Sequence, residues 1–150
     1  MAEKNLFIET GVVTYHINGA VDVTFNPTDA AFVEKLYSTF TNLDSRQDEF
    51  QKRVKEIGTD KEQMFDYARE RDQEMRRLID DLLGEGVSDA LFHNMNVYSL
   101  AGGLPVWVNL LFAIADEIHD AYDSEQAKTE PRIKSYDAKY QQLMKKYQRK

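Results

Sequence analysis

Residues 82–118 read LLGEGVSDALFHNMNVYSLAGGLPVWVNLLFAIADEI, the one long segment of the chain that is apolar, punctuated by glycine and nearly free of basic residues. It lies between two heavily charged regions with helical spacing, and this contrast decides the fold. Gly84, Glu85 and Gly86 end an incoming helix, since glycine takes the positive φ that closes a helix C-terminus. Ser88 is placed to cap a short helix through about Asn94 that buries Ala90, Leu91 and Phe92. Residues 96–103 read as a loop whose Val97, Tyr98 and Leu100 are available to fold back on the core. Pro105 suits the first turn of a further helix, with Val106, Trp107, Leu110, Leu111, Ile114, Ile118 and Tyr122 on its apolar face. That helix is the expected centre of the core. The segment carries no recognisable nucleophile, metal-ligand or phosphate-cradle pattern, which points to a scaffold or binding protein.

Working outward, Val12–Ile17 and Val21–Phe25 are two β-branched runs separated by Asn18-Gly19-Ala20, the signal of a β-hairpin over 12–25. An isolated hairpin is marginal, so one face must pack on helices or extend a sheet in another subunit. Asn26-Pro27-Thr28-Asp29 opens a long helix to about Ile57, capped by Asn26 or Thr28, with a stripe at Phe32, Leu36, Phe40, Leu43, Phe50, Val54 and Ile57. Gly58-Thr59-Asp60 stops it and caps the next, whose stripe is Met64, Ala68, Met75, Leu78, Ile79 and Leu82. The short break predicts an antiparallel helical hairpin over 28–83, with Arg71 breaking the apolar seam and its far end loosely packed. Thr129-Glu130-Pro131 predicts another boundary, after core helices over 88–123 and before a basic amphipathic helix over 132–148 bearing Ile133, Tyr136, Tyr140, Leu143, Met144 and Tyr147. The expected fold is mainly α (α+β), in a single domain of 150 residues.

Composition removes several classes of function. No apolar run approaches the roughly 18 residues that span a bilayer, and the opening MAEKNLFIET lacks the apolar core and cleavage site of a signal peptide. The expectation is a soluble, cytoplasmic protein with no membrane association. Cysteine is absent, so disulfides, thiolate metal sites and cysteine nucleophiles are excluded. The net charge of -7 is unevenly spread: residues 132–150 hold seven basic residues against Asp137, a net +6, which leaves -13 on residues 1–131. Such an acidic body disfavours nonspecific contact with nucleic acid, while the basic end reads first as a solvated helical tail whose charge aids solubility, with an acidic partner, a neighbouring subunit or a phosphate backbone as the alternatives.

Chemistry-bearing residues do not assemble into a site. His16, His93 and His119 fall in unrelated elements, none within an HExxH arrangement. Asp116, His119 and Asp123 share a helical stripe with the spacing of a weak cation site, but a solvated acidic face opposite Leu111, Ile114 and Ile118 is the better account. Asp80 and Asp81 point about 100° apart on a helix and do not make a catalytic pair. Gly84-x-Gly86 follows a helix and lacks the Gly-Lys-Ser/Thr ending of a phosphate loop. No catalytic residue, cofactor or metal is therefore expected. The tyrosines interleaved with lysines in the last helix share helical spacing and read as a packing or partner-binding stripe.

The order of ING-x-VDVTFNPTDAAFVEKLY, a charged helix pair and RRLIDDLLGEGVSDALFHNMNVYSLAGGLPVWVNLLFAIADEI resembles the small tail assembly chaperones of long-tailed bacteriophages and prophages of Gram-positive bacteria. The unit from Asp80 to Gly86, followed by Ala90-Leu91-Phe92, carries most of the likeness. The resemblance implies a noncatalytic protein that binds the tape-measure protein, keeps its apolar helices soluble and helps recruit tail-tube subunits. It also implies self-association into a homo-oligomer, and a longer frameshifted product if Lys145-Lys146 is encoded by slippery codons. The long charged hairpin from Thr28 to Leu83 departs from the family. On this reading the self-association or client surface falls on Leu36, Phe40, Leu43, Met64, Met75, Leu110, Leu111, Ile114, Tyr140 and Met144, where flexible methionines adapt to irregular helices. Two other classes stand beside it: an acidic inhibitor or nucleic-acid mimic that binds a basic host protein, and a small metal-dependent enzyme built on the Asp116, His119 and Asp123 stripe.

Overall fold

The computed structural model describes residues 1–41 and 43–148; Asn42, Arg149 and Lys150 lie outside it, as do the side chains of Phe40, Leu43, Asp44 and residues 129–132. Strands β1 (Val13–Ile17) and β2 (Val21–Phe25) pair antiparallel around Asn18 and Gly19, both at positive φ. Alternation sorts the faces. Thr14 meets Thr24 at 3.1 Å and His16 meets Asp22 at 2.5 Å on the exposed face, while Tyr15, Ile17, Val21, Val23 and Phe25 pack toward the core. The hairpin is thus docked on helices of its own chain, one of the two outcomes its marginal stability required.

The next helix starts later than the sequence suggests, and the cap differs. Asn26 Oδ1 accepts from the Thr28 amide and hydroxyl in a local turn, whereas the Asp29 carboxylate accepts from the Ala31 amide at 2.9 Å and caps α1 (Ala30–Thr41). Helices α2 (Leu43–Ile57) and α3 (Lys61–Leu83) follow, the latter capped by Asp60 as expected, through Gln63 N at 3.2 Å. Tyr15, Phe25 and Phe32 stack in series at 4.7 and 4.2 Å between ring centroids, joining the hairpin to α1.

Arg71 does break the apolar seam between α2 and α3, but the seam is closed there by aromatic rings. Its guanidinium lies 4.1 Å from the Phe50 ring centre and 3.8 Å from that of Tyr98, while Phe50 stacks on Tyr67 at 6.1 Å. A cation over two ring faces gains from the quadrupole and is held by stacking. The middle of the pair is therefore tied, and Arg46 adds an ion pair to Glu74 at 3.2 Å, while around the Gly58 turn residues 51–66 are exposed apart from Val54, Ile57 and Met64.

The segment read first behaves as its centre, with one correction. Helix α4 (Val87–Phe92) is not capped by Ser88, whose hydroxyl is buried without a protein partner. Its cap arrives from α3, because the Asp80 carboxylate accepts from the Ser88 amide at 2.9 Å. One stripe of α3, residues 68, 72, 76 and 80, holds the whole return loop. The Ala68 carbonyl accepts from Asn96 Nδ2 at 3.1 Å, and Asp72 accepts from Val97 N at 2.7 Å. Arg76 reaches Asp72, Asp89 and the carbonyls of His93 and Met95 at 2.6–3.0 Å. The expected loop over 96–103 also contains a second, very short hairpin, β3 (Leu100–Ala101) with β4 (Leu104–Pro105), turned by Gly102 and Gly103 at positive φ.

Helix α5 (Val106–Gln148) begins directly after Pro105 and buries Trp107, Val108, Leu110, Leu111, Ile114 and Ile118 against Val23, Phe32, Leu36, Met75, Ile79, Val87 and Val97. Each large side chain so buried is worth about 1.5–3 kcal/mol. The boundary expected at Thr129-Glu130-Pro131 is absent: α5 is continuous to Gln148. An internal proline removes one backbone bond at a cost of about 3 kcal/mol, and the strong helix formers Ala138, Lys139, Gln141, Gln142, Leu143 and Met144 resume beyond it. The fold is mainly α with an N-terminal β-hairpin. No described helix is long and apolar enough to cross a membrane.

Arg76 is only 13% exposed and has four partners, so Arg76→Ala removes the donor to Asp72 Oδ2 and to two carbonyls and leaves the half-buried Asp72 charge unpaired. It is expected to lower unfolding stability by roughly 3 kcal/mol, with Arg76→Lys recovering less than half because an ammonium lacks the planar fork. Denaturant midpoints check this; a loss under about 1 kcal/mol for the alanine variant contradicts the assignment.

Candidate partner-binding groove

Beyond Ile118 no described side chain of α5 is buried, although the apolar stripe does not stop there. The spacing of three and four that buries Trp107, Leu111, Ile114 and Ile118 reaches Tyr122, lapses over the mostly polar residues 123–132, and resumes on the same helical face, about three turns on, at Ile133, Tyr136, Tyr140, Leu143 and Tyr147. The core-facing stripe therefore runs on past the body as an overhang, exposed by half or more at Ile133, Tyr136, Tyr140, Leu143 and Tyr147.

Opposite the overhang lies the N-terminal segment. The Asn26 side chain donates to the Thr10 carbonyl at 2.7 Å and fixes its root. Gly11 sits there at φ +70°, where a Cβ would approach Asn26 Nδ2 to 2.8 Å, so both backbone and space require glycine. Upstream, Leu6, Phe7 and Ile8 project into solvent, each more than 80% exposed. Residues 9–13, the turn at Asn26, Pro27 and Thr28, and α5 from Glu117 to Tyr140 enclose an open groove of about 1290 Å³. Its apolar lining is Val12, Val13, Pro27, Ile133, Tyr136 and Tyr140; its charged lining is Glu9, Glu117, Asp120, Glu125 and Asp137 against Lys128. At its floor Tyr15 Oη donates to Glu117 Oε1 at 3.0 Å and Tyr122 Oη to the Thr28 carbonyl at 3.3 Å.

The residues proposed from sequence as a partner surface divide sharply. Leu36, Met75, Leu110, Leu111 and Ile114 are core residues, at most 8% exposed, and are corrected to that role because their stripes close on one another. Met64 is half-buried on α3. The side chains of Phe40 and Leu43 lie outside the described residues. Tyr140 and Met144 are on the overhang, with Tyr140 lining the groove. Leu6-Phe7-Ile8 were not singled out from the sequence; three consecutive apolar residues ahead of the hairpin were the available signal.

Elsewhere the ionisable groups are structural or solvated. Asp80 is occupied as the cap of α4, and Asp116, His119 and Asp123 are exposed on α5. Among the described residues no three histidines or carboxylates come together as a metal site. A smaller cavity of about 290 Å³ beside Arg46, Arg53 and Arg71 also contains Glu49, Glu70 and Glu74, so its charge is balanced by the chain itself. Burial there pushes the Tyr67 hydroxyl above its usual range, opposed by the Arg71 charge.

These features define a mainly α chain with a closed core and an open, apolar-edged groove at one end. Compared with known proteins, the chain matches no family model, no curated protein and no solved structure.

Burial, and then the Glu117 carboxylate, push the Tyr15 phenol up to about 12 from 10.0. The folded state holds this proton more tightly than the unfolded one, so its stabilising contribution is complete below about pH 10 and is lost as pH rises through about 12. Tyr15→Phe is expected to delete one tyrosinate step near pH 12 from the ultraviolet titration and to cost about 1 kcal/mol at neutral pH. Loss of a step near the ordinary tyrosine value instead would show that the Tyr15–Glu117 bond does not form.

Proposed function

We propose that the chain is a noncatalytic tail assembly chaperone of a long-tailed bacteriophage or prophage, acting in the host cytoplasm. It binds the tape-measure protein and assists assembly of the tail tube around it. The resemblance carried by Asp80–Gly86 and Ala90-Leu91-Phe92 suggests the family. The observation that supports a binding role is the concentration of exposed apolar side chains at one end of the molecule. Val12 and Val13 line one side of the groove and Ile133, Tyr136 and Tyr140 the other, while Leu6, Phe7 and Ile8 precede the first wall in the chain and Leu143, Met144 and Tyr147 follow the second, all exposed. Exposed patches of this kind mark interaction sites, and long apolar helices are the client such a surface suits.

The departure from the family, the charged helical pair, is compatible with this role. Helices α2 and α3 are held together by Arg71 over Phe50 and by the Arg46–Glu74 pair, and neither contributes a residue to the groove lining.

Co-expression with the tape-measure protein tests the proposal. The expected result is a soluble complex recovered through either component. The triple variant Leu6→Asp, Phe7→Asp and Ile8→Asp should reduce recovery tenfold or more, a loss of at least about 1.4 kcal/mol, while its unfolding midpoint stays unchanged because all three side chains are exposed. An insoluble tape-measure protein beside a folded, unbound chain would overturn the reading.

A further inference from the structure

The groove is acidic, and the last turns of α5 are basic. Around the groove five carboxylates, Glu9, Glu117, Asp120, Glu125 and Asp137, face one lysine, Lys128. The end of α5 carries Lys139, Lys145 and Lys146 beside the exposed Tyr140, Leu143 and Tyr147. One chain thus contains both a concave acidic, apolar-edged surface and a convex basic, apolar-striped helix. The two cannot meet within a single molecule. Helix α5 is continuous, and the stretch from Tyr140 to Gln148 advances about 12 Å beyond the groove edge rather than returning to it.

We infer that the basic end of α5 docks in the acidic groove of a second copy of this chain, and that the second copy returns the same contact. The α5 helices then cross antiparallel about a two-fold axis, an arrangement in which one patch is complementary to itself. Length permits it: the α5 wall of the groove from Glu117 to Tyr140 spans about 35 Å, and the helical segment from Ile133 to Gln148 about 22 Å. Area permits it as well. Each of the six exposed apolar side chains of the overhang can bury on the order of 100 Å². Reciprocal docking, counted on both surfaces, therefore reaches the roughly 1,200–2,000 Å² of a stable interface. A parallel arrangement of the two α5 helices sets basic end against basic end and is disfavoured by like charge.

The overhang side chains buried in this contact are the ones proposed above to meet the client, so dimer and client compete for them, and the test uses the full-length chain alone. Sedimentation at low ionic strength should give a dimer, with self-association weakening at least tenfold at about 1 M salt, where screening acts within about 3 Å. Reversing the helix end with Lys139→Glu, Lys145→Glu and Lys146→Glu should weaken association at least tenfold, and so should reversing the groove with Asp120→Lys and Glu125→Lys. All five side chains are exposed, and circular dichroism should report unchanged helix content. Mixing the two reversed proteins should restore a dimer, since both contacts are then matched: the unreversed basic helix end meets the unreversed acidic groove, and the acidic helix end meets the basic groove. A wild-type monomer throughout the accessible concentration range overturns the inference. So does a dimer indifferent to both reversals, or two weakened variants that fail to recover on mixing. Loss of tape-measure capture with self-association intact in the helix-end variant would place the basic end on the client and likewise overturn it. Failure of client binding with the charge-swap dimer intact counts only against the chaperone reading.

Discussion

One stripe of α3, spaced at four residues from Ala68 to Asp80, holds the return loop from which the rest of the core is built. Asp72 and Asp80 each accept a backbone amide across the chain, from Val97 and Ser88, and Arg76 gathers the carbonyls of His93 and Met95. These are charge-assisted bonds to backbone groups that the apolar surroundings would otherwise leave unsatisfied. With Val97 fixed, its carbonyl accepts from Trp107 N at 3.2 Å, and so sets where α5 begins. The helix then enters with Trp107 and Leu111 already aimed at Met75 and Ile79. Packing and polar satisfaction are not separate contributions here, because the ion pairs select the one register in which the apolar faces close.

That register was only partly legible in the residues. The Asn18-Gly19 reversal, the Asp60 cap and the apolar face of α5 are encoded locally, and they appear where local chemistry puts them. The cap of α4 is not local: Asp80 serves Ser88 from the preceding helix, and no neighbouring residue announces it. The same limit explains the partner residues. Periodicity shows that Leu36, Met75 and Leu111 occupy stripes, but not which other stripe each one meets, so buried and exposed positions look alike until the helices are placed. Tyr140 lies on the stripe of Leu111 and differs from it only in lying beyond the body.

The continuity of α5 has a further consequence for the groove. Had the chain turned at Pro131, the basic tyrosine-bearing segment would have been free to fold back on the acidic body and neutralise it within one molecule. A single helix prevents this and keeps the two charge domains apart. Separation of complementary charge along a rigid element favours contact between molecules over contact within one, since no loop remains to close.

Exposed apolar surface is a liability as well as a device, and the acidic body limits that liability. With -13 on residues 1–131, two bodies approaching at random repel each other, and in the proposed dimer that repulsion would be relieved where the +6 end of one meets the groove of the other. Specificity then comes from repulsion at wrong orientations as much as from attraction at the right one. The apolar side chains of the N-terminal segment and the overhang need not be highly complementary to one partner. Charge restricts which encounters last, and on the proposed function the exposed Leu6, Phe7 and Ile8 and the adaptable Met144 would settle on a long and irregular client.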